Sequence, residues 1–126
     1  MDINILKYSK DHLWLKVEND TALFGMTDHA QKEMGDVVFI GMNDTGMSFS
    51  KGDVIASVES VKATSDIIAP VKGEIIEVNK ELTDAPDTLN EDPYGKGWIY
   101  RIKVIDINEL DSLLDKAAYD DFALNQ

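Results

Sequence analysis

The residues that could do chemistry are concentrated in one stretch, Glu59-Ser60-Val61-Lys62-Ala63-Thr64-Ser65-Asp66. It lies between two strand-forming runs, residues 54–58 and 67–68, and strands this close in sequence are joined by a tight reversal. Lys62 is therefore expected at or beside the tip of a hairpin, its amine held away from the sheet and within reach of a modifying enzyme. A free lysine amine, with a pKa near about 10.4, is almost wholly protonated at neutral pH and serves neither as nucleophile nor as carrier unaided. An acylated one loses its charge and becomes a tether. Position alone does not separate Lys62 from any solvated lysine on a turn. Asp66 and Glu59 flank it, and by themselves they make a solvated acidic turn.

Other chemistries are closed off by composition. There is no cysteine and there are two histidines, so thiol nucleophiles, disulfide staples, zinc ribbons and a histidine metal site are set aside. Twenty-four acidic against 12 basic residues give a net charge of −12, which repels phosphate backbones and argues against nucleic acid as a partner. The same charge favours a soluble monomer steered toward basic docking surfaces. No apolar run approaches the roughly 18 residues of a membrane span, and the first residues lack both the basic lead and the apolar core of a secretion signal. A cytoplasmic address is expected. At 126 residues the chain suits one domain, with a core over about residues 12–104 and a helical tail over about 106–124.

The elements that must position Lys62 follow from periodicity and turn chemistry. Residues 13–17 alternate, Glu18-Asn19-Asp20 is a turn signal, and residues 22–25 resume, which predicts a hairpin. Thr27 or Asp28 can cap a two-turn helix that ends at Gly35, with Gln31 near the capping-box position. Residues 37–40 form an apolar strand, residues 41–46 are turn-rich, and residues 54–58 are strand again. Lys51-Gly52-Asp53-Val54-Ile55 and Lys72-Gly73-Glu74-Ile75-Ile76 share an order of residue types and flank Lys62, as two halves of a pseudo-symmetric β-sandwich would. Residues 77–96 predict a long loop with one helical turn, residues 98–104 a closing strand, and Leu110, Leu113 and Leu114 one face of a helix, continued by Tyr119, Phe122 and Leu124. The expected fold class is mainly β with short helices.

The stretch around Lys62 resembles, almost letter for letter, the lipoyl-lysine motif of the glycine cleavage system H proteins. The likeness continues at Tyr8-Ser9-Lys10-Asp11-His12, Gly25-Met26-Thr27-Asp28-His29-Ala30-Gln31, Gly35-Asp36-Val37-Val38-Phe39, Ala69-Pro70-Val71-Lys72-Gly73-Glu74 and Asn90-Glu91-Asp92-Pro93-Tyr94-Gly95-Lys96-Gly97-Trp98. This resemblance implies a barrel-sandwich hybrid of the lipoyl/biotinyl type with a C-terminal helical appendage, and lipoic acid amide-linked to Lys62. It implies a non-catalytic carrier that takes an aminomethyl group from glycine decarboxylase to aminomethyltransferase, is reoxidised by dihydrolipoyl dehydrogenase, and is charged by a lipoate ligase or lipoyl transferase. The resemblance also implies that Asp66 and Glu59, close in sequence to the arm, stabilise its cationic aminomethyl nitrogen by charge and hydrogen bonding. His29 falls where the family often places a histidine or aromatic residue near the arm's resting cleft. Biotin carriers normally set Met on both sides of the lysine; here the neighbours are Val61 and Ala63.

Two departures stand out. His12-Leu13-Trp14 replaces the family's His-Glu-Trp, whose Glu is associated with holding the loaded, positively charged arm. Gly41-Met42-Asn43-Asp44 replaces an acid-Leu-Pro stretch. The alternatives left by the sequence are a stand-alone H-like lipoyl protein in lipoate relay or in sulfur or redox metabolism, and an unmodified acidic interaction module.

Overall fold

The computed structural model describes residues 2–125. After a short 3-10 turn at Ile3–Ile5, β1 (Lys7–Tyr8) pairs with β2 (Leu13–Glu18), which turns back into β3 (Thr21–Met26). Glu18 pairs with Thr21, so the connection is the two residues Asn19 and Asp20; Asn19 takes the left-handed conformation (φ 57°) that an Asn tolerates there. Helix α1 (Asp28–Met34) starts where Thr27 Oγ1 accepts from the Ala30 amide and ends on Gly35 at φ 81°. Gln31 does not close a capping box. Its amide nitrogen donates to Asp28 Oδ1 and its oxygen accepts from Asn90, so a tertiary partner claims it.

β4 (Val37–Met42), β5 (Ser48–Phe49), β6 (Val54–Ser60), β7 (Thr64–Ile68) and β8 (Gly73–Val78) follow. The expected 77–96 loop holds two helical turns, α2 (Glu81–Asp84) and α3 (Thr88–Glu91), each fastened by one buried leucine, Leu82 and Leu89. β9 (Tyr100–Val104) starts two residues later than predicted; just before it the Ile99 backbone bonds Phe24 O and the Asn79 amide, and Trp98 O accepts from Asn79 Nδ2. Among the described residues two antiparallel sheets form, one in the order β1-β2-β3-β9-β8-β5 and one in the order β4-β6-β7. The apolar face of each closes on the other: Leu15, Phe24, Ile75 and Ile102 from the first meet Ile40, Val58 and Ile67 from the second in one buried cluster. Burial of such side chains contributes about 1.5–3 kcal/mol each, which is why the mainly-β expectation holds.

The Lys-Gly-acid repeat leads into β6 and β8, which lie in opposite sheets. Its conformation does not repeat. Gly52 is left-handed (φ 93°) in a turn, whereas Gly73 sits in β8, where an added Cβ would stand 2.6 Å from Lys103 O.

The tail differs from the expected helix. Ile107–Ser112 is 3-10, capped by Asp106, and the chain then extends so that Tyr8 and Leu114 exchange backbone hydrogen bonds of 2.8 and 2.7 Å. Three leucines at helical spacing are too short a pattern to outweigh pairing with the free edge of β1. α4 (Lys116–Leu124) is capped by Asp115 and packs Tyr119 into a second buried cluster with Leu6, Tyr8 and Trp14. β2 is thus covered on both faces, and Trp14 donates to Pro93 O at 2.8 Å. None of the helices is long and apolar enough to cross a membrane, among the described residues.

Candidate functional site

The hairpin expected around Lys62 is β6–β7, closed by the pair Glu59 and Thr64. Ser60 builds its tip. The Ser60 amide donates to Ala63 O at 2.8 Å, and the Ser60 hydroxyl donates to the same carbonyl while accepting from the Lys62 and Ala63 amides at 3.3 and 3.1 Å. The turn's polar groups are thereby satisfied locally. Lys62 is exposed, as is Val61 beside it.

The tip is not free to swing. The Val61 amide donates to Asp36 O at 3.0 Å, tying the hairpin to the turn between α1 and β4. Asn90 of α3 clamps that turn: its Oδ1 accepts from the Val37 amide at 2.8 Å, and its Nδ2 donates to Gly35 O at 2.9 Å and to Gln31 Oε1 at 3.0 Å. Lys62 lays its methylenes over Gly35, where an added Cβ would meet Cε at 3.2 Å and Cδ at 3.7 Å. Glycine is required there for the positive φ, and a methyl at this position would also press on the lysine's methylenes.

Beside the hairpin lies an open cleft of about 620 Å³. One wall is β7, an edge strand of its sheet, contributing Thr64 to Ile67 with Ala63 of the tip; the other is α1, contributing His29, Ala30, Glu33 and Met34. Asp11, His12, Met26 and Ala123 complete it. Asp66 and His29, both singled out from the sequence, therefore line the same cleft. Glu59 does not. It is exposed and faces Phe39 across β4–β6, and an added Cβ on Gly41 would touch both Phe39 and Ser57, so Glu59, Phe39, Gly41 and Ser57 share the outer face of the small sheet.

Three cleft residues were not foreseen. Glu33 follows His29 by one helical turn, its Oε1 4.0 Å from His29 Nε2, and the i,i+4 spacing alone could have revealed it. Asp11 could have been found only by knowing where the β1–β2 turn points. His12 is held from far away in sequence: its Nδ1 lies 2.8 Å from Tyr119 Oη, which lies 2.7 Å from Thr27 Oγ1, and its ring stacks on His29 with centroids 4.7 Å apart. Burial raises the Tyr119 pKa, opposed by the hydrogen bond to Thr27. On the outer side of α1, Lys32 bonds Asp28 at 2.9 Å and holds that carboxyl below its usual range. Leu13 is 1% exposed and packs in the main core with Met26 and Met34, beneath the cleft and not in it.

A lysine presented on a braced hairpin tip, with a path cleared for its side chain and an open cleft of mixed polarity alongside, is the geometry of a carrier domain. No cluster of three or more metal-binding side chains occurs among the described residues. The chain belongs to the glycine cleavage H-protein family, whose model matches residues 6–126. It is 53% identical over 116 residues to the glycine cleavage system H protein of Escherichia coli O7:K1, covering 91% of this chain and 90% of that one. The corresponding protein of Beijerinckia indica is 50% identical over 120 residues, covering 95% and 97%. The crystal structure of a glycine cleavage system H protein from Mycobacterium marinum superimposes with a TM-score of 0.85 at 31% identity, covering 99% of this chain and 98% of that one.

Proposed function

We propose that Lys62 carries lipoic acid in amide linkage, and that the protein shuttles the aminomethyl group of glycine from glycine decarboxylase to aminomethyltransferase, with dihydrolipoyl dehydrogenase restoring the oxidised arm. A lipoate ligase or lipoyl transferase supplies the modification. The observation that carries this reading is the placement of Lys62: exposed at a tip braced by Ser60 and Asp36, its methylenes running over Gly35. Membership of a family that binds lipoate supports it.

When attached, the dithiolane supplies the sulfur that accepts the group and the reducing equivalents passed on afterwards. The chain's own residues do the rest. The hairpin holds the attachment point clear of the sheet, so that tethering raises the local concentration of the reactive end at each partner's site. The β7 edge and α1 offer a resting place whose side chains suit an apolar ring with a cationic end: Met26, Met34 and Ile67 supply apolar surface, while Asp11, Glu33 and Asp66 supply negative charge. Asp66 and His29 act there; Glu59, on the outer face of the small sheet, does not line that resting place. The lack of cysteine leaves no thiol on the carrier to capture the arm in a mixed disulfide.

Intact-mass measurement of protein made in a lipoylating host tests the attachment. The native chain is expected to gain one lipoyl increment that Lys62→Arg lacks; a native chain without it overturns the proposal. Incubating the lipoylated protein with glycine decarboxylase and labelled glycine tests the role, and absence of label on the arm would remove glycine cleavage while leaving a lipoyl carrier.

A further inference from the structure

Tyr119 sits on α4, 107 residues from His12 and 92 from Thr27, yet its hydroxyl lies 2.8 Å from the first's Nδ1 and 2.7 Å from the second's Oγ1. We propose that Tyr119 is a positioning residue for the arm's cleft: through its hydroxyl the C-terminal helix sets the orientation and tautomer of His12, and through the His12–His29 stack it shapes the cleft wall. This rests on the carrier reading above.

His12 needs such a hold. Its backbone is left-handed (φ 65°), an uncommon and strained state for a side-chain-bearing residue, and it persists only where its surroundings impose it. Backbone bonds supply part of that: His12 donates to Ser9 O at 3.1 Å and accepts from the Thr27 amide at 3.0 Å. They fix where the ring leaves the chain, not how it turns. Among the described residues, Nδ1 meets Tyr119 and the ring packs on His29 at 4.7 Å, Tyr119 at 5.7 Å and Phe122 at 5.8 Å, the last two both from α4, and these contacts orient it. Thr27 is already committed to the Ala30 amide as the α1 N-cap, so the Tyr119 hydroxyl joins the start of α1, the β1–β2 turn and the tail at one point. Ala123, one turn beyond Tyr119, lines the cleft itself. The helix that looks like an appendage in the sequence thus closes one end of the arm's resting place through Ala123.

The test compares two phenylalanine variants in the unlipoylated and the loaded protein. Tyr119→Phe keeps the ring stacked on Tyr8 at 4.7 Å and removes only the hydroxyl; Tyr8→Phe removes a neighbouring buried hydroxyl, bonded to Ile3 O at 2.5 Å, that does not touch His12. In the unlipoylated protein, imidazole ¹⁵N shifts are expected to show a changed His12 tautomer balance in Tyr119→Phe and an unchanged one in Tyr8→Phe. In the loaded protein, Tyr119→Phe is expected to lose its aminomethyl group to water about three- to tenfold faster, the range one lost neutral hydrogen bond supports, with Tyr8→Phe near the parent rate. Unmoved His12 shifts in Tyr119→Phe, equal shifts in both variants, or an unchanged loss rate would each overturn the inference. The nuclear-resonance arm needs no modification of Lys62, so its outcome is distinguishable from failure of the carrier reading.

Discussion

The Val61 amide and the Asp36 carbonyl meet at 3.0 Å, joining the hairpin that presents Lys62 to the turn that ends α1. Through this bond the site depends on residues that never touch the lysine. The turn is clamped by Asn90, three of whose polar contacts fall on Gln31, Gly35 and Val37, and Asn90 comes from the long connection whose length already suggested a task.

Asn90→Ala is expected to cost about 2 kcal/mol, because it leaves the Val37 amide and the Gly35 carbonyl without their partner. Chemical denaturation measures the loss. Native-state amide exchange should show Val61 losing protection beyond the global change; proportional loss everywhere would mean that the clamp does not reach the hairpin.

Gly35→Ala should cost about 1–3 kcal/mol from the backbone alone, because φ 81° with ψ −163° is a conformation that essentially only glycine adopts. The added methyl also stands 3.2 Å from Lys62 Cε, so the lysine side chain must shift by a few tenths of an ångström. Ligation of lipoate to the variant is expected to slow while Lys62 stays exposed, and an unchanged ligation rate would show that this path plays no part in recognition.

Leu13→Glu would place a carboxyl where a 1%-exposed leucine packs beneath the cleft. In the bare protein, desolvation raises the folded pKa of that carboxyl above the unfolded value near about 4.3, so the variant loses stability as pH rises past it, by a few kcal/mol, on the order of 2–4, at neutral pH. A cationic arm overhead offsets part of the penalty. Melting curves are expected to show a larger stabilisation on loading for the variant than for the parent, together with slower loss of the aminomethyl group. Equal stabilisation would argue against any contact between position 13 and the arm.

Tyr8, Tyr94, Tyr100 and Tyr119 all have pKa values raised mainly by burial. The unfolded chain ionises these phenols near about pH 10 while the folded one keeps them neutral, so the folded state binds more protons there and stability falls as pH rises. Below that pH the effect is fully present as stability and does not vary. Absorbance of phenolate is expected to appear together with loss of near-ultraviolet dichroism in an alkaline titration; ionisation of all four before unfolding would contradict the buried hydroxyl network.

Local chemistry was enough to read much of this molecule from its residues in order. Thr27 and Gly35 mark both ends of α1, Asn19 marks the β2–β3 turn, and the closeness of two strand-forming runs makes the Lys62 hairpin, because each of these is settled by a few neighbouring dihedrals and hydrogen bonds. Alternating and continuous apolar runs also determined a mainly β core, since strands such as β3 and β9 had an apolar face to bury. Only the tertiary structure decided the course of residues 107–114, where pairing of Leu114 with Tyr8 outweighed helical spacing, and only it placed Glu59 outside the cleft and Asp66 within. The wall of that cleft was beyond sequence for the same reason. Tyr119, His12 and Thr27 converge because two sheets and the tail pack in three dimensions, and hydrogen bonds spanning 92 and 107 residues leave no trace in local spacing.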